Sequence, residues 1–370
     1  MSEVARLVSL DAFRGLTVAA MVLVNNPGTW RAVYPPLRHA EWHGLTPTDL
    51  IFPFFLFIVG VAIPLALGRR VDGGERRSAI VAKILRRSVI IFALGLLLHA
   101  VPDFDMASLR IPGVLQRIAV CYLVAALLFL GTGWRAQAGL VVGLLVSYWA
   151  ALTLVPVPGF GPGNLSPEGS LAAYVDRALL GPHIWRAARV YDPEGLLSTV
   201  PAIATTLIGA LAGHWLRAGR ARGVTVLGFL VAGVAGVGLG ELWGVWLPIN
   251  KPLWTSSYAV LTAGAALLVL GACYGLVEAR SWRGWTRPFV VLGVNALALF
   301  FLSSLVARLL IVITVERASG RVSLHAWLFD HLFAPWATPI NASLAFALAY
   351  LLLWLALMWW LDRRQIRLTV

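Results

Sequence analysis

The chain has 370 residues, of which 59% are hydrophobic and only 13% charged, and its mean hydropathy is +0.81. That balance excludes an ordinary soluble enzyme and points to a polytopic membrane protein. The formal charge of +13 would suggest a nucleic-acid partner in a soluble chain, but here the basic residues stand in short clusters between apolar runs, where they encode topology, and no nucleic acid is expected. Sixteen Trp against four Met fit the same class, because Trp gathers where a span meets water. Cys121 and Cys273 both lie inside apolar runs, which suggests neither a disulfide framework nor a thiolate metal site.

A span needs roughly 20 apolar residues. Read with that window, the sequence predicts an all-α fold with about ten transmembrane helices, at 9–26, 48–67, 84–101, 112–132, 136–156, 197–216, 222–240, 255–276, 287–313 and 339–361. The first carries Asp11 and Arg14 near its start and no small-residue cleavage site, so it reads as a retained anchor rather than a signal peptide. With the N-terminus in the cytoplasm, inner segments hold nineteen of the thirty basic residues, among them Arg14, Arg69, Arg70, Arg76, Arg77, Lys83, Arg86 and Arg87, while Arg308 falls within a span. The positive-inside rule then places both termini in the cytoplasm.

The outer loops, at about 27–47, 102–111, 157–196, 241–254 and 314–338, carry Pro, Trp, His, Asp and Glu rather than plain linker composition. The loop at 157–196 is too long for a simple connection and reads as a substrate-facing cap, with disorder as the alternative. No repeat of 20–50 residues is visible, which gives no support to the repeat architecture common among transporters. Residues 1–370 are expected to form a single transmembrane domain.

An ionisable side chain in a span costs roughly 2.5–3.5 kcal/mol on insertion scales, so each needs a partner, a cavity or a function. Asp11 and Arg14, three apart on one helix, suit either an ion pair or a site where Arg14 meets an anionic ligand from the cytosol. Asn25 and Asn26 close the same helix before Pro27–Gly28 and suit capping. In the segment from Arg38 to Asp49, His39, Glu41, Trp42, His43 and Asp49 gather at the mouth of an apolar helix; Thr46 or Thr48 would cap it, and Asp49 suits its first turn. His39 and His43 are four apart, but the acid sits in the wrong place for either zinc-protease pattern, and no metal is expected. A neutral imidazole oriented by Asp49 as a general base is the stronger reading, an interfacial His the plainer one.

Arg110, Gln116 and Arg117 stand at the start of the fourth span, with Arg117 too deep for a loop residue. Asp192 and Glu194 precede the sixth span, where helix capping alone would explain them. Asn250, Lys251 and Trp254 precede the eighth, where Trp254 suits either a sugar-stacking platform or an interface anchor. Asn295 lies midway along the ninth, where a helix–helix hydrogen bond is the default.

At these residues the sequence resembles the heparan-alpha-glucosaminide N-acetyltransferase family of transmembrane acyltransferases. The likeness runs through Ser9-Leu10-Asp11 with Arg14-Gly15, Val24-Asn25, His39-Ala40 with Trp42 and Gly44-Leu45-Thr46, and Asp49 with Phe52-Pro53. It continues through the unbroken block Arg110 to Arg117, then Asp192-Pro193-Glu194-Gly195 and Asn250-Lys251 with Leu253-Trp254. The resemblance implies transfer of acetyl from cytosolic acetyl-CoA to the amine of a glucosamine on the far side of the membrane, a single acyltransferase domain, and a homodimer. It carries the family's catalytic His onto His39 and its catalytic Asn onto Asn25. His43 departs from the Asn of the animal members, which bears on acceptor contact more than on the chemistry. The animal enzyme's large lumenal N-terminal domain and preceding span have no counterpart in the sequence, and a bacterial inner membrane is the expected location.

The expected site is therefore His39, Asn25 and Asp49 for chemistry; Arg14, Arg110, Gln116, Arg117 and Asn295 for acetyl-CoA; and Trp42, His43, Asp192, Glu194, Asn250, Lys251 and Trp254 for the sugar. Two other classes stay open: an O-acetyltransferase of a cell-envelope glycan, and a sugar transporter without chemistry.

Overall fold

The computed structural model describes residues 7–317 and 320–368. Described helices α1 to α13 span, in chain order, Val8–Asn25, Ile51–Asp72, Arg77–Ala100, Val114–Gly131, Trp134–Leu154, Leu171–Leu180, Thr199–Arg217, Arg222–Gly244, Ser256–Tyr274, Arg287–Val294, Ala296–Val312, Leu324–Leu332 and Pro339–Arg363. The described strands are β1 (Thr314–Arg317) and β2 (Gly320–Ser323), an antiparallel hairpin that leads into α12. The protein is all-α and polytopic, as expected.

Eight described helices are long and apolar enough to cross a membrane, nine if the broken pair α10–α11 counts as one span. Two expected spans differ from simple helices. The third, α3, has the length, but Arg77, Lys83, Arg86 and Arg87 occupy its first three turns, so only its second half is apolar. The ninth is not continuous: α10 and α11 meet at 79°. Asn295 forms the break, and its amide serves the C-terminal segment, accepting from Leu368 N–H at 2.9 Å and donating to the Ile366 carbonyl at 3.5 Å. The expected helix–helix bond is thus replaced by a tie to the chain end, because Asn competes readily for backbone partners outside a helix.

Helices α1 and α2 are the most enclosed, with 67% and 72% of their most apolar windows buried, against 28%, 22% and 33% for α5, α8 and α13. The centre is filled by residues such as Val18, Val22, Phe52, Leu56, Leu115, Leu207 and Tyr258. The crossing of α2 and α7 is tight enough to demand glycine: a Cβ on Gly60 would stand 1.9 Å from the Thr206 carbonyl oxygen, and one on Gly209 2.1 Å from that of Phe57. Small residues at such crossings let apolar helices approach where the hydrophobic effect supplies no drive.

The segment 157–196 is structured. Helix α6 is capped by Ser170, whose hydroxyl accepts from Ala173 N–H. Its Asp176, 1% exposed, accepts from the backbone N–H of Asp192 at 3.3 Å and of Leu196 at 2.9 Å, and so folds the following turn back onto α6.

Candidate active site

The end of α1 and the start of α2 come together, with Asn25 and Thr48 lining one cavity. A 3-10 turn, Pro47–Leu50, leads into α2. Thr46 caps it in a reciprocal box with Asp49, as the sequence suggested for one of the two threonines: Thr46 N–H donates to Asp49 Oδ2 at 3.0 Å. Asp49 is 1% exposed, and the same oxygen also accepts from Ala40 N–H at 3.1 Å. Its other oxygen, Oδ1, lies 2.7 Å from His39 Nδ1. A carboxylate on Nδ1 fixes the proton there and leaves Nε2 as the basic nitrogen. The His39 side chain is 48% exposed, so the oriented ring is open to a ligand.

Lys251 completes this cluster. Its Nζ lies 2.9 Å and 3.2 Å from the two ring nitrogens of His39 and 3.5 Å from Asp49 Oδ1. Burial lowers the Lys251 pKa below its usual value, while Asp49 and Glu194 oppose the shift. Asn250 holds this lysine in place. Its Nδ2 donates to the Trp42 carbonyl at 2.9 Å and lies 3.3 Å from His43 Nδ1, its Oδ1 accepts from Leu253 N–H at 2.7 Å, and its backbone bridges His43. The amide is fully used within the protein, so Asn250 positions its neighbours.

His39, Lys251, Asn25, Arg110, Gln116 and Glu194 all line one cavity of about 270 Å³. The Asn25 side chain has no hydrogen-bond partner among the described residues, whereas the adjacent Asn26 is spent on the Val22 carbonyl at 2.7 Å. A second cavity, of about 640 Å³, shares Met21, Asn25, Phe300, Ser304 and Arg308 with the first. Asn25 therefore faces both.

Across the first cavity, Arg110 makes a fork onto Asp192, with Nε to Oδ2 at 2.8 Å and Nη2 to Oδ1 at 2.5 Å, and reaches Glu194 at 2.5 Å. These acids accept from an arginine as well as preceding a helix, so capping alone does not describe them. Arg117 is 2% exposed, donates to the Gly195 carbonyl and the Ser198 hydroxyl, and stands 5.1 Å above the Trp254 ring. Trp42 donates from Nε1 to the Leu165 carbonyl at 2.8 Å and meets Tyr191 edge-on at 5.0 Å. Residues of the 157–196 segment thus pack against Trp42, Arg110 and Arg117, and Glu194 lines the same cavity as His39.

Some expected positions lie elsewhere. Trp254 is 1% exposed, in the core against Phe52 and Tyr258 with its indole N–H on Thr205, and offers no open stacking face. Arg14 pairs with Asp11 at 3.0 Å, eleven residues along α1 from Asn25, a rise of roughly 16 Å. Asn295 is occupied by the C-terminal segment. His43 turns to Asn250, and burial lowers its pKa. Among the described residues no three His, Cys, Asp or Glu converge on a metal position. His99 and Arg308, which line the cavity, were not among the expected site residues. The signal for Arg308 was present, as a lone cation inside an apolar run.

A multi-spanning helical protein with an oriented, solvent-reachable imidazole lining a cavity among its helices is the class that fold and site define. Residues 6–204 match the family described as "Domain of unknown function (DUF5009)", and the chain belongs to that family. It is also similar to two curated proteins, bearing out the expected resemblance. The heparan-alpha-glucosaminide N-acetyltransferase of Homo sapiens is 32% identical over 271 residues, covering 60% of this chain and 40% of the relative. That of Mus musculus is 31% identical over 264 residues, covering 58% and 40%. The chain thus spans about 40% of the length of the curated relatives it matches.

Proposed function

We propose that the protein is a transmembrane N-acetyltransferase that moves acetyl from cytosolic acetyl-CoA to the amine of a glucosamine-type sugar on the opposite, periplasmic side of a bacterial inner membrane. One observation carries this reading: an imidazole held by a buried carboxylate opens into the same cavity as an asparagine amide with no other partner. The names of the two relatives support the reaction type.

In this reading His39 Nε2 takes a proton from the acceptor nitrogen as its lone pair attacks the thioester carbonyl. Asp49 stabilises the imidazolium, and Asn25 donates to the oxyanion, a contribution of roughly 2.7–4 kcal/mol for a well-placed donor. When the carbon–sulfur bond breaks, the pair stays on sulfur and the proton passes from His39 to it. Lys251 and Glu194 meet polar groups of the sugar, with Trp42 and His43 at the rim. Gln116, on the cavity wall, contacts the arm of the donor, and Arg14 with the basic inner loops receives the donor's phosphates. Arg110, Asp192, Arg117 and Asn250 hold these groups in position.

The test uses the purified protein in vesicles, with labelled acetyl-CoA supplied on one face, glucosamine on the other, and the acceptor product read by mass spectrometry. An acid-stable N-acetyl product is expected. An alkali-labile ester would make the protein an O-acetyltransferase, and sugar crossing the membrane without acetyl-CoA would make it a transporter.

A further inference from the structure

The proposed reaction has a proton inventory that one imidazole meets only in part. An amino sugar at neutral pH arrives as R–NH3+ and leaves as R–NH–CO–CH3, so its nitrogen loses two protons. The departing thiolate takes up one. The first proton is lost to solvent before binding, or a single base acts twice, or the site holds two bases.

A second imidazole faces the same cavity. His99, near the end of α3, has Nδ1 2.9 Å from the Arg110 carbonyl oxygen. A carbonyl only accepts, so this bond, much shorter than the 3.4 Å approach of the Gln116 amide to the same nitrogen, places the proton on Nδ1 and leaves the lone pair on Nε2. Nε2 has no hydrogen-bond partner among the described residues. The backbone is shaped around the ring: a Cβ on Gly113 would stand 2.5 Å from His99 Cε1 and 3.1 Å from Nε2. Anchoring the Arg110 carbonyl needs only the Nδ1 proton, so the second nitrogen is surplus to that structural task.

We propose that His99 is a second base of the site, with Nε2 accepting the first proton from the acceptor's ammonium and His39 the second. This rests on the N-acetyltransferase reading. The nitrogen–hydrogen bond of R–NH3+ breaks with its electron pair staying on nitrogen. The freed pair then forms the bond to the thioester carbon, and the proton on His99 is released to solvent. The charged groups facing His99 from neighbouring elements suit this order. Arg110, beside it, is neutralised by Asp192 and Glu194, whereas Arg308 on α11 and Lys251 before α9 also line the cavity, and cations there keep His99 unprotonated before the acceptor arrives and favour release of its proton to solvent afterwards.

The test compares wild type with His99→Gln, using glucosamine and acetyl-CoA across a pH series. At about pH 7 the variant is expected to lose up to about 10-fold in kcat/KM, because only about a tenth of an amine of the α-amino type is free there without a base to deprotonate it. The deficit should all but disappear at about pH 9, where an amine of the α-amino type is already free. Hydroxylamine, uncharged at neutral pH, should be acetylated by the variant at nearly the wild-type rate. Binding of acetyl-CoA serves as the folding control. A deficit equal at every pH and for both acceptors, or no deficit, would overturn the proposal. If wild type transfers acetyl to neither amine, the proposed function fails first, and this inference with it.

Discussion

Two ionic clusters face each other across the cavity, and they use the same ingredients differently. Arg110, Asp192 and Glu194 form a closed set. Asp192 Oδ1 accepts from Arg110 and from Glu194 N–H, its Oδ2 accepts from Arg110 and from Trp185 N–H, and its side chain is 0% exposed. His39, Asp49 and Lys251 form an open one, in which the carboxylate is saturated by His39, Ala40 and Thr46 while the imidazole stays half exposed. Charge alone does not mark the reactive centre. What separates the two clusters is access: the imidazole can be reached by a ligand, whereas the Asp192 carboxylate cannot.

The sharpest way to break this comparison is to remove the cation or base at the heart of each cluster. His39→Ala should lower kcat for transfer by about 10³–10⁴-fold, the upper range for a lost acid–base group, while thermal stability stays near wild type because the ring is half exposed. Arg110→Ala should act the other way round. It leaves Asp192 and Glu194 buried without their cation, a defect of about 3–5 kcal/mol visible as a lowered unfolding temperature, and its activity loss should track the unfolded fraction. If Arg110→Ala proved fully stable yet inactive, the closed cluster would belong to the chemistry and the division drawn above would fail.

A smaller effect comes from Asp176, which fastens the turn carrying Asp192 and Glu194. Burial, only partly offset by the hydrogen bonds from Leu196 and Asp192, pushes its pKa up to about 6 from an ordinary 3.8. A carboxyl whose folded pKa is raised stabilises the fold fully below its unfolded pKa, and that contribution is lost as pH rises through the folded one. Stability should therefore decline between about pH 4 and pH 6, by an amount on the order of 3 kcal/mol at most. Asp176→Asn, which cannot ionise, should flatten the profile in that window. A variant whose unfolding temperature keeps the wild-type slope would assign the pH dependence to another group.

The sequence made much of this legible, for reasons that differ by residue. Nine of the expected spans could be read because a membrane helix must be apolar along its length, and the tenth, α3, was blurred by cations that its own rise carries through three turns. The pairing of His39 with Asp49 was readable because both flank one helix start, where a capping box fixes local geometry. Lys251 was placed in a sugar pocket and not against His39, since that contact joins positions 212 apart and no local rule relates them. Trp254 reads equally as platform or anchor until its neighbours are known; its burial follows from Phe52, Tyr258 and Arg117 closing around it. His99 carried no motif at all, and its relevance follows only from the cavity it lines.

Trp42 lies between the two clusters and gives the finest test of where one ends and the other begins. Its indole N–H reaches Leu165 in the segment over the site, its ring meets Tyr191, and its carbonyl accepts from Asn250, the residue beside Lys251. Trp42→Phe keeps the backbone carbonyl and an aromatic face but removes the bond to Leu165, worth about 0.5–1.5 kcal/mol as a neutral hydrogen bond. If Trp42 serves the sugar through the position of that covering segment, KM for the acceptor should rise a few-fold, kcat should hold, and the unfolding temperature should drop slightly. A fall in kcat approaching that of His39→Ala would instead draw the boundary of the reactive cluster outward to include it. The segment 157–196 would then be part of the catalytic assembly, and the closed and open clusters would act as one unit.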